Sequence, residues 1–84
     1  MSVTQGFKQL AAMRRCPSDG WTIRDVELLC RNLGLACKPP KHGEHHVVSQ
    51  PKVEGLLTIP TRRPIKPFYI KLLVQLAESS LDFE

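Results

Sequence analysis

Apolar positions recur every three to four residues at both ends of this chain and alternate in its middle. Over residues 4–15, Phe7, Leu10, Ala11 and Arg14 fall at i, i+3, i+4 and i+7. That spacing predicts a short amphipathic helix, weakened by Gly6. The stretch CPSDG, 16–20, has the composition of a turn. The next segment, WTIRDVELLCRNLG, carries a stronger helical pattern in Ile23, Val26, Cys30 and Leu33. Thr22 is suited to the N-cap, with Asp25 three residues on to close a capping box. Gly34 supplies a left-handed C′ residue, and Leu35 can pack back on the last turn. Trp21 precedes the cap as a packing anchor.

After Gly34 the period changes. LACKPP predicts a short strand broken by Pro39-Pro40, and KHG a tight connection. HHVVS predicts a second strand, rich in β-branched residues. QPKVEG reads as the next turn, and LLTIP as a third strand that Pro60 ends. TRRPIKP leads to a final helix with Pro67 at its first position. There Tyr69, Leu72, Leu73, Leu76 and Ala77 form an apolar stripe. The order predicts an α+β fold: a three-stranded antiparallel sheet with helices packed on one face (α-β-β-β-α), preceded by a short N-terminal helix.

The 84 residues suffice for one small domain with a thin core. Hydrophobic residues at 42% and charged residues at 24% describe a globular chain and exclude a disordered one. No apolar run approaches the roughly 20 residues of a membrane span. The start, MSVTQGFKQLAAMRR, lacks the order of a signal peptide. The expectation is a cytoplasmic protein with no membrane partner. Cys16, Cys30 and Cys37 make no C-x-x-C pair, so reduced thiols are expected, with Cys30 on a helical apolar face. The net charge is +4. From Lys38 to Lys71, seven cations face only Glu44 and Glu54, a net of +5, whereas Glu78, Asp82 and Glu84 make the tail acidic. A basic middle suits a polyanion-facing surface or a solvated face.

The histidines cluster in KHGEHHVVS, 41–49. Strand alternation puts His45, Val47 and Ser49 on one face and His46 and Val48 on the other. His45 is expected to face outward on the open sheet face, and His46 toward the helices. A zinc site would need three or four converging ligands, and alternation points two of the candidates apart. A lone strand histidine is ordinarily a half-exposed packing residue, and the pattern alone favours that reading.

The parts GEHH (43–46), LTIP (57–60) and RRPIKPFYIKLLVQL (62–76), in this order of elements, add a further signal. Over residues 20–80 the chain resembles the HicA-type mRNA interferases, toxins of bacterial toxin–antitoxin pairs. The resemblance implies a fold like the double-stranded-RNA-binding domain. It implies metal-independent cleavage of mRNA with no cofactor, and silencing by a HicB-type antitoxin protein. On this basis residues 1–19 are an N-terminal extension of helix and turn, 20–80 the HicA-like domain and 81–84 an acidic tail. The family's Gly-Ser-His motif maps onto Gly43, Glu44 and His45, which makes His45 the catalytic residue with Gly43 and Glu44 in support. Glu44 departs from the family's small residue. A carboxylate there repels phosphate, favours the charged form of a neighbouring imidazole, or marks a site that has lost its chemistry. Lys38, Lys41, Arg62, Arg63 and Lys66 are the expected RNA-binding residues, supplying salt-sensitive phosphate contacts. Tyr69 and Leu72 are expected in the core. The alternative is a non-catalytic RNA-binding or antitoxin-binding domain of the same fold.

Overall fold

A computed structural model of the chain describes residues 3–40, 44–50, 53–61 and 64–81. Local chemistry sets the ends of its second helix. Thr22 is extended, and the Asp25 carboxylate accepts from its backbone N–H at 2.8 Å and from its hydroxyl at 3.1 Å. These bonds satisfy donors that a helix start leaves open. At the other end Gly34 takes φ +78°, which costs a glycine little, and the Leu35 N–H donates to the Cys30 carbonyl at 2.8 Å. The helix between, α2, spans Ile23–Leu33. It follows α1 (Val3–Arg15) and leads into β1 (Ala36–Lys38), β2 (His45–Gln50), β3 (Val53–Pro60) and α3 (Pro67–Leu81).

The strands form one antiparallel sheet in the order β1-β2-β3. Lys38 pairs with Val47 and Val47 with Thr58, while His45 pairs with Pro60. The β2–β3 register slips between Val48 and Gln50, and Gln50 pairs with Val53. Residues 53–55, expected in a turn, therefore belong to β3. Pairing with β2 decides their backbone there, over the turn-forming composition around them.

One sheet face is covered by helices. His46, Val48, Gln50 and Ile59 are buried beneath them, and Met13, Val26, Leu29, Ile70 and Leu73 fill the space between helices and sheet. The opposite face is open: Lys38, His45, Leu56 and Thr58 are exposed, with Val47 and Ser49 half-buried. The fold is thus α+β, with a three-stranded antiparallel sheet and three helices.

Two helical faces differ from the expected ones. In α1 the buried side is Gly6, Leu10 and Met13, and Phe7 is 44% exposed. Arg14, expected on that stripe, reaches out to Glu78 of α3 at 2.8 Å. Such an exposed pair contributes little. In α3 the fully buried positions are Ile70, Leu73, Val74 and Ala77, while Tyr69, Leu72 and Leu76 sit half-buried at the flanks. Because α1 supplies Leu10 and Met13, the core runs across residue 19 without a break.

The cysteines illustrate the same division between inside and outside. Cys30 is 1% exposed, Cys37 is half-buried and Cys16 is exposed. The hydrogen bond between the Cys30 and Cys37 thiols, then burial, push the Cys30 thiol far above the usual range; the same bond lowers that of Cys37. Iodoacetamide is therefore expected to modify Cys16 and Cys37 in the native protein and Cys30 only after unfolding. Peptide mass spectrometry reads the order; alkylation of Cys30 in the native state would contradict it.

Candidate active site

His45 opens β2, where the pairing with Pro60 and a hydrogen bond from the Thr61 N–H to the Glu44 carbonyl (2.7 Å) hold the backbone. His45 is exposed and His46 is 7% exposed, so alternation divides the two as expected. His46 places Nε2 3.3 Å from a Glu27 carboxylate oxygen, on the helix side of the sheet, while its Nδ1 has no partner. That imidazole belongs to the interior. His42 lies outside the described residues.

On the other side His45 lines a cleft of about 640 Å³. Its ionisable lining is Glu44, His45 and Lys66, besides Tyr69. One wall is the α1–α2 turn, through Ser18 and Gly20. The other is apolar, formed by Pro60 at the end of β3, Pro64 and Ile65 in the following connection, and Pro67 and Tyr69 in the first turn of α3. The walls are fixed to each other. The Ile65 N–H donates to the Trp21 carbonyl at 2.8 Å, and the Trp21 indole N–H donates to the Cys16 carbonyl at 2.8 Å. Trp21 thus anchors the turn to the connection ahead of α3.

Of the expected RNA-binding residues, Lys66 is brought to His45 in this cleft. Lys38 is exposed on the open sheet face, opposite Val47, two residues along β2 from His45. Lys41, Gly43, Arg62 and Arg63 lie outside the described residues. Ser18, Gly20 and Tyr69 are cleft residues that the sequence pattern did not single out. Ser18 and Gly20 read as turn composition, and Tyr69 reads as core because its ring is in fact half inside it.

Chemically, the cleft brings an acid–base group, a cation and a carboxylate into one lining with apolar residues. That set can transfer protons and hold an anion. Comparison of the chain with protein-family models, curated proteins and solved structures found no match. Among the described residues no helix is long and apolar enough to cross a membrane.

Proposed function

We propose that the protein is a metal-independent endoribonuclease of the HicA type, the toxin of a toxin–antitoxin pair, with a double-stranded-RNA-binding-domain-like fold. The observation that carries this reading is that an exposed His45 lines a cleft that also holds Lys66. An imidazole there can take the proton of a 2′-hydroxyl as it attacks the neighbouring phosphorus, or protonate the departing 5′-oxygen. Lys66 balances the charge on the phosphate as it develops. The products are a 2′,3′-cyclic phosphate and a 5′-hydroxyl. The basic surface draws the substrate, and a HicB-type antitoxin is the protein partner that would silence it in the cytoplasm.

The experiment is cleavage of single-stranded RNA by the purified protein in EDTA, with analysis of the new ends. Cleavage to cyclic phosphates supports the reading, and loss of cleavage in EDTA overturns the metal-independent mechanism.

Glu44 favours a second reading, in which the domain binds RNA or its antitoxin without cutting. It lines the same cleft as His45, where its carboxylate opposes a phosphate. Glu44→Ser separates the two. Cleavage gained only by the variant marks a site that has lost its chemistry. Equal cleavage by both proteins shows that the carboxylate is tolerated.

A further inference from the structure

The apolar half of the cleft is unused by the chemistry of His45 and Lys66. Pro60, Pro64, Ile65, Pro67 and Tyr69 make a wall with no charge. A phosphate has no use for such a wall; a flat aromatic ring does. About 640 Å³ lies within the range of small-ligand pockets, and is ample for one nucleotide. The hollow is also preformed. The Ile65–Trp21 and Thr61–Glu44 backbone hydrogen bonds hold its edges. The Tyr69 ring is braced edge-on by Phe68, with centroids 5.4 Å apart and planes at 72°. Phe68 itself is 63% exposed, an uncovered ring beside the Tyr69 wall.

Resting on the RNA-cleaving reading above, we propose that this cleft is a single-nucleotide pocket. One unpaired base lies against the proline–tyrosine wall, and its phosphate sits between His45 and Lys66. Phe68 gives the next base a stacking surface. A base inside a duplex is covered on both faces by its neighbours and paired at its edge, so it cannot enter a hollow lined by Ser18 and Tyr69. The pocket therefore selects single-stranded RNA, and Ser18 and Tyr69 set which bases fit. Their role is to position the substrate, and His45 remains the catalytic residue.

The test fills the pocket from its exposed side. Ser18 lies on the surface of the turn, so Ser18→Phe adds bulk to the cleft without entering the core. The probe is a single-stranded RNA oligonucleotide carrying the fluorescent base 2-aminopurine, bound to the His45→Ala protein so that it is not cut. Binding is expected to quench the base. Ser18→Phe in that protein is expected to weaken binding roughly tenfold, a size typical of losing one base–aromatic contact. In the cleaving protein, Ser18→Phe raises KM and leaves kcat near its starting value, which a general loss of folding would not do.

Three results overturn the inference. If Ser18→Phe binds the probe as tightly as its parent, no base enters the cleft. If the same RNA in duplex form binds equally well, the pocket does not select unpaired bases. In both cases cleavage by the parent would keep the RNA reading intact. If neither single-stranded nor duplex RNA binds or is cut, the RNA reading fails and the pocket fails with it.

Discussion

Under the proposed function, replacing His45 with alanine is expected to lower RNA cleavage about 10²–10⁴-fold, the usual worth of a positioned general acid or base. The melting temperature should stay where it is. His45 is exposed at the start of β2, and truncating a surface side chain there changes stability by no more than about 0.5 kcal/mol. His46 provides the internal control. It is buried beneath the helices, so His46→Ala is expected to act on stability by leaving a cavity. The two adjacent histidines should thus separate cleanly, one in rate and the other in melting. Full cleavage by His45→Ala, measured on labelled RNA beside thermal unfolding, would remove His45 from the mechanism.

A second large effect is expected from adding one methyl group to Gly6. Helix propensity alone predicts that Gly6→Ala stabilises by about 1 kcal/mol. The packing predicts the opposite. A Cβ at Gly6 would lie 2.7 Å from Leu33 Cδ2, 2.9 Å from its Cγ and 3.0 Å from the Asn32 Cβ. Helices α1 and α2 touch there, so the Leu33 side chain must turn away or the helices must separate. Overpacking of this kind costs about 1–3 kcal/mol, which outweighs the propensity gain. The expected result is a fall of several degrees in melting temperature, since about 1 kcal/mol shifts a domain of this size by roughly 4–8 °C. Leu33→Ala in the Gly6→Ala background should recover part of the loss, and a double-mutant cycle measures that coupling. A rise in melting temperature on Gly6→Ala would show that the close approach carries no weight.

The sequence was most readable where the physics is local. Thr22, Asp25 and Gly34 act on backbone groups within a few residues of themselves, and the ends of α2 follow from them. Strand alternation separated His45 from His46 for the same reason. The helical faces were harder. Helix α3 carries Tyr69, Ile70, Leu72, Leu73, Val74, Leu76 and Ala77, apolar on nearly every side, so periodicity could not tell the innermost row from its flanks. In α1 the largest apolar residue, Phe7, drew the stripe toward itself, yet the buried side is marked by the smallest residue, Gly6. Its role depends on Leu33, far along the chain, and no local pattern records that.

The candidate site divides in the same way. His45 and Glu44 could be singled out by their place in a motif, and Lys66 by its charge. The cleft they share could not be foreseen, because its walls come from three separated segments: 18–20, 44–45 and 60–69.

That separation bears on how the protein is made. Trp21 and His45 leave the ribosome well before Ile65, Tyr69 and the rest of α3, whose Ile70 and Leu73 complete the core. A nascent chain of this design carries its reactive imidazole without a hollow beside it. Under the RNA-cleaving reading, the cleft beside His45 cannot form until α3 has been synthesised.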